Sequence, residues 1–176
     1  MTRRIIGLLV LAIALTACGA LSPGSSSSQA PQSDAPVESI APDAAATIHA
    51  EISGGPLVGT YDAESSSPIC TSGLGGEGAF GVQFSVDQPD GLSRVEVLIP
   101  VAALAQTGTD QFTASIGLGP LVGGTTFHID PNAEGSTGTA RLDYDGGNSA
   151  TLMIEGETAE GIGVSLEVEC HQVVHL

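Results

Sequence analysis

Two clusters in the second half of the chain carry the side chains best suited to holding an ion. His171 and His175 sit four residues apart near the C-terminus, with Glu169 beside them. On a strand that spacing turns both rings to one side. Imidazole nitrogen and carboxylate oxygen both ligate divalent cations, so the three have the chemistry of a surface metal site. The second cluster is "DYDGGNSATLMIE", in which Asp143, Asp145 and Asn148 offer the oxygen ligands calcium takes. Its spacing departs from the calcium loop, which needs a third acidic ligand before the glycine and a glutamate to close it. Asp145-Gly146-Gly147-Asn148 is sufficiently explained as a turn, and the two histidines fall where chain ends fray. The expectation is no metal and no cofactor. His171, His175, Asp143 and Asp145 are the positions where an ion would be sought.

Catalytic constellations are sparser still. There is no G-x-S-x-G elbow to expose a serine nucleophile. The serines cluster in "SPGSSSS" and "ESSSP", where turn and loop roles account for them. His49 and His128 lie in strand-like runs and read as surface or edge residues. A sheet protein can bring distant carboxylates together for glycoside hydrolysis. A sugar site also needs aromatic platforms, however, and the chain has 2 Tyr, 4 Phe and no Trp. The expectation is a protein that is not an enzyme.

The elements that would have to position these groups are strands. "TIHAEIS" opens an alternation near residue 47. "AFGVQFSV" sets Phe80, Val82, Phe84 and Val86 on one face and Gly81, Gln83 and Ser85 on the other. "LSRVEVLI" follows the turn signal Gln88-Pro89-Asp90-Gly91, and "QFTASIGL" aligns Phe112, Ala114, Ile116 and Leu118. "TARLDYD" and "ATLMIEG" flank Gly146-Gly147-Asn148 as a hairpin. "IGVSLEVEC" aligns Ile162, Val164, Leu166, Val168 and Cys170. Period-two alternation broken by Gly, Pro, Asp and Asn predicts antiparallel sheets with one face buried. The fold class expected is all-β: an antiparallel β-sandwich or partly closed barrel of about 8–10 short strands. "PVAALAQTG" allows at most a turn or two of helix. "GPLVGTYD" (55–62) and "GPLVGGTTFHID" (119–130) echo each other. Nothing downstream of them aligns, so they read as one way of entering a strand used twice, and a half-domain repeat is the alternative.

Charge narrows the partners. The chain has 4 Lys plus Arg against 20 Asp plus Glu, for a formal net charge of −16. Such a chain repels phosphate backbones and has no counterion release to drive binding, which excludes nucleic acid as a partner.

The N-terminus has its own pattern. Arg3 and Arg4 precede an uncharged run from Ile5 to Ala17, about 13 residues. A transmembrane helix needs about 20. Positive residues, a short apolar run and small residues at its end make a secretory signal peptide. The run closes on Leu15-Thr16-Ala17-Cys18, which resembles the lipobox of bacterial lipoproteins. The resemblance implies a diacylglycerol on Cys18, cleavage before it, and a chain held on the extracytoplasmic face of the cell membrane by its lipid. Each buried methylene contributes about 0.8 kcal/mol, and stable anchoring takes more than one acyl chain, which a diacylglycerol supplies. Cleavage there leaves Arg94 and Arg141 against all 20 carboxylates, a formal charge of −18. Of the 3 cysteines, Cys70 and Cys170 then remain as a pair in an oxidising compartment, where a disulfide is expected. The domains expected are a signal peptide at 1–17, a lipidated cysteine with a Ser/Pro/Ala-rich disordered tether at 18–46, and a β-rich domain at 47–176.

In layout the part from Cys70 onward resembles the LpqH-like mycobacterial lipoprotein antigens. The matching pieces are "SPICTSG" (67–73), "DGGNSATLMIEGETAEG" (145–161) and the closing "LEVEC" (166–170). The chain departs from that layout by running on with "HQVVHL" and by lacking lysine. The resemblance implies a surface lipoprotein with antigenic or adhesive roles and supplies no catalytic residues. The function expected is therefore a membrane-anchored, non-enzymatic binding or surface component of the envelope. The second reading is a solute- or metal-binding lipoprotein assisting a transporter or envelope enzyme.

Overall fold

The computed structural model describes residues 44–176, and Cys18 lies outside them. The strands are β1 (Ala46–Ser53), β2 (Gly59–Ser65), β3 (Cys70–Ser72), β4 (Phe80–Ser85), β5 (Leu92–Ile99), β6 (Thr113–Leu118), β7 (Thr125–Ile129), β8 (Thr137–Asp143), β9 (Ala150–Glu157), β10 (Gly163–Cys170) and β11 (Val173–His175). One short helix, α1 (Ala102–Ala105), follows β5. The strands form two sheets, of order β2-β1-β10-β9-β8 and β11-β3-β4-β5-β6-β7. This is the expected sandwich, open and not closed into a barrel. It holds eleven strands, more than expected, because β3 and β11 are three residues each and too short to show an alternation. All neighbours pair antiparallel except β11 with β3, which run parallel.

The alternation in each strand places its apolar members between the sheets. Ile48 and Ile52 from β1, Leu152 and Ile154 from β9, and Leu166 and Val168 from β10 line one wall. Phe80, Val82, Val95, Ile99 and Ile116 line the other. Burying one Leu, Ile or Phe side chain contributes about 1.5–3 kcal/mol, so this aliphatic interior is what holds the sheets together. Val86 was expected to continue the buried face of β4. It is exposed instead, because it follows the last residue of β4 and is held to β5 only by its amide, which donates to the Ser93 carbonyl at 2.9 Å.

Two inward glycines shape the core. Gly138 on β8 pairs with Gly156 on β9, and their missing side chains admit Phe112 and Ile129 against the sheet. A Cβ on Gly156 would stand 2.7 Å from the carbonyl oxygen of Thr137. The expected hairpin at Gly146-Gly147-Asn148 is present between β8 and β9, with Gly146 at φ 90°. The two "GPLVG" echoes occupy equivalent places: each is the turn of a hairpin that feeds an edge strand, β2 in one sheet and β7 in the other.

The disulfide joins Cys70 at the start of β3 to Cys170 at the end of β10, with Cα atoms 6.1 Å apart. It therefore ties one sheet to the other. The chain leaves the five-stranded sheet at Cys170 and enters the six-stranded one at Val173.

Candidate functional site

That crossover separates the two histidines expected to share a face. His171 follows the end of β10, whereas His175 belongs to β11 in the other sheet. A four-residue spacing puts two rings on one side only while the strand is unbroken, and β10 ends at Cys170. His175 instead sits beside Tyr144, its Nδ1 3.3 Å from the phenol oxygen, and the rings are stacked at 6.4 Å. Tyr144 in turn packs on Phe80, their centroids 5.4 Å apart.

His171 does meet the aspartate cluster. Asp143, Asp145, Glu169 and His171 line an open hollow of about 410 Å³ at the end of the five-stranded sheet that carries the disulfide. The register explains why they fail to converge. Glu169 lies opposite Thr151, which lies opposite Asp143, so the two carboxylates stand two strand spacings apart. At about 4.8 Å per spacing their main chains are roughly 10 Å apart, with Thr151 between them. Asp145 is turned to its own loop, where Oδ1 accepts the Gly147 amide at 2.9 Å. Among the described residues no group of three or more His, Cys, Asp or Glu side chains is placed to hold an ion.

The same register builds a larger feature that no single segment announces. The inward residues of the five-stranded sheet are apolar, so its outward residues form a grid set by pairing. One row runs Glu64, Thr47, Glu169, Thr151, Asp143, and the next runs Asp62, His49, Glu167, Met153, Arg141. Glu51, Glu155 and Glu157 follow in the rows beyond. Eight carboxylates thus share one face with a single arginine, separated by Ser and Thr. Hydrogen bonds cross the strands: Thr47 Oγ1 donates to Glu169 at 3.2 Å, and His49 Nδ1 lies 2.6 Å from Asp62 Oδ1. The outward face of the other sheet is nearly neutral, with Arg94 and Glu96 at 3.9 Å and otherwise Ser, Thr, Gly, Gln, Leu, Val and His.

One further pair was not legible in the sequence. Ser115 Oγ and His128 Nδ1 are 2.7 Å apart across β6 and β7. They lie thirteen residues apart in the chain, and only the hairpin register makes them neighbours. Glu96 stands on the other side of Ser115, so the serine is in the middle of the row. A nucleophilic triad needs the histidine in the middle, its second nitrogen held by the acid. This row is therefore a surface hydrogen bond and not a charge-relay arrangement.

Among the described residues the interior holds few polar groups. The buried polar residues are Ser93, Thr109, Ser136 and Thr158, and each is engaged by main chain. Ser93 donates to the Gly117 carbonyl and Ser136 to that of Glu157, while Thr109 and Thr158 accept the amides of Gln111 and Ile162. Among the described residues no buried side-chain nitrogen or oxygen lacks a partner. No protein-family model, curated protein or solved structure matches the chain.

Proposed function

We propose that this protein is a lipid-anchored lipoprotein of the extracytoplasmic membrane face that works by binding through its folded domain, without catalysis. The observation that carries the binding part is the carboxylate grid on the outward face of the five-stranded sheet. Eight like charges on one sheet face repel one another and weaken the fold, an arrangement that a surface serving solubility alone does not need. Beside it, the groups capable of chemistry are dispersed: His49 on Asp62, His128 on Ser115 and His175 on Tyr144. The anchoring part rests on the Leu15-Thr16-Ala17-Cys18 lipobox and on the signal-like run before it. The layout of the LpqH-like antigens, with a cysteine opening the domain and another closing its last long strand, agrees with both.

Membrane fractionation tests the anchor. Wild type is expected in the membrane pellet and labelled by fatty acid, and Cys18→Ala is expected in the medium and unlabelled. Retention of Cys18→Ala on the membrane would overturn the anchoring.

A further inference from the structure

The four sheet edges differ in how they are closed. Thr109 closes β8 by exchanging two main-chain hydrogen bonds with Ala140, of 2.9 and 2.8 Å, and α1 packs against the same strand. β11 is only three residues long. On β7 the inward Phe127 and Ile129 are already buried, so the sandwich is shut there. β2 is the exception. It runs for seven residues with no fully buried member, and its inward side chains, Tyr61 and Ala63 among them, cover the core only in part together with Leu57.

The pairing pattern identifies which main-chain groups of β2 are free. The His171 amide donates to the Ala45 carbonyl at 2.9 Å, which makes Ala46 and Cys170 a non-hydrogen-bonded pair. Ala46 therefore turns its own N–H and C=O toward β2, and so do Ile48, Ala50 and Ile52 by alternation. Their partners Ser65, Ala63, Tyr61 and Gly59 are satisfied by β1. The residues between them, Thr60, Asp62 and Glu64, direct three N–H and three C=O groups away from the sheet. Among the described residues no main-chain hydrogen bond reaches them. An edge of that kind is a template for one more strand.

We propose that the free edge of β2 binds an extended segment of a cationic partner protein as an added strand of the five-stranded sheet. This rests on the reading of the protein as a binding component. The side chains select the occupant. Outward residues of an added strand stand about 5 Å from Thr60, Asp62 and Glu64, so lysine or arginine at alternate positions meets carboxylates. Inward residues lie beside Tyr61 and Ala63, where small apolar side chains complete the half-covered strip. A second copy of this chain is disfavoured at the same edge, because β2 against β2 opposes Asp62 and Glu64 to themselves and brings together two chains of charge −16.

The test titrates a labelled peptide alternating lysine and valine, of the length of β2, into the full chain. Anisotropy reads binding and hydrogen exchange reads its location. Saturable binding is expected, with exchange slowed at the amides of Thr60, Asp62 and Glu64. N-methylation of the peptide amides that face β2 is expected to weaken binding about tenfold or more, while leaving the peptide's charge unchanged. Thr60→Pro, which removes one outward N–H and no ladder bond, is expected to do the same. Asp62→Asn with Glu64→Gln is expected to weaken binding at low salt and leave the exchange pattern in place. Equal affinity for the methylated peptide would overturn the proposal in favour of attraction to the acidic face alone, and protection confined to other strands would overturn it outright. Self-association through β2, with no peptide bound, would do so too. Peptide binding that survives methylation keeps the reading of a binding component and fails only the added strand, so the two failures are separable.

Discussion

Replacing Cys70 and Cys170 together by alanine removes the disulfide that ties one sheet to the other. The bridge closes a loop of 100 residues. In the chain-entropy treatment, opening such a loop frees the unfolded chain by about 4.7 kcal/mol at room temperature. Both cysteines are buried, at 0% and 1% exposure, so a little packing is lost as well and the expected total is about 5 kcal/mol. A domain of this size has roughly 5–15 kcal/mol of stability in all, so the double variant is expected to be marginal. With no Trp, urea unfolding is best followed by far-ultraviolet circular dichroism. The midpoint is expected to fall steeply while the slope rises, because an uncrosslinked unfolded chain exposes more surface. Reduced wild type is expected to follow the same curve. A loss below about 2 kcal/mol would refute the reasoning, since the unfolded chain would then be compact without the bridge.

Other perturbations follow from the same structure. Gly156→Ala brings a methyl group against the Thr137 carbonyl at 2.7 Å and Ile129 Cγ2 at 3.0 Å, and is expected to cost about 1–3 kcal/mol in urea unfolding. A neutral result would mean that β8 and β9 part more easily than their pairing indicates. Raising sodium chloride from about 10 mM to about 500 mM is expected to stabilise the fold by about 1 kcal/mol, by screening the repulsion among the eight face carboxylates. A fall in stability with salt would show that attractive pairs such as Arg94–Glu96 outweigh that repulsion.

Much of the fold was legible because period two survives in a linear string. Each long strand alternates in its own sequence, so β1, β4, β5, β6, β8, β9 and β10 could be marked without knowing their neighbours. The Gly146-Gly147-Asn148 turn was equally local. The Cys70–Cys170 bridge was expected once the resemblance to a lipobox set Cys18 apart. The short strands β3 and β11 escaped because three residues cannot display a period. Missing β11 is also why His171 and His175 were expected on one face: four-residue spacing implies a shared face only if the strand continues, and the change of sheet after Cys170 leaves no local mark.

The remaining features belong to register and strand order, which are relations between segments. Glu64, Thr47, Glu169, Thr151 and Asp143 come from five strands and nearly the whole length of the domain. Nothing in any one segment says that they form one row, or that the next row holds Asp62, His49 and Glu167. Ser115 and His128 meet for the same reason. That β2 is an edge, with the main chain of Thr60, Asp62 and Glu64 turned outward, follows only from β1 lying between it and β10. By itself the sequence determined the long alternating strands, the sign of the charge and the two cysteines available to the folded domain, because each of these is carried by residue type and local spacing. Tertiary structure alone decided which carboxylates share a face and which strand is left open, because pairing brings together residues that the chain keeps far apart.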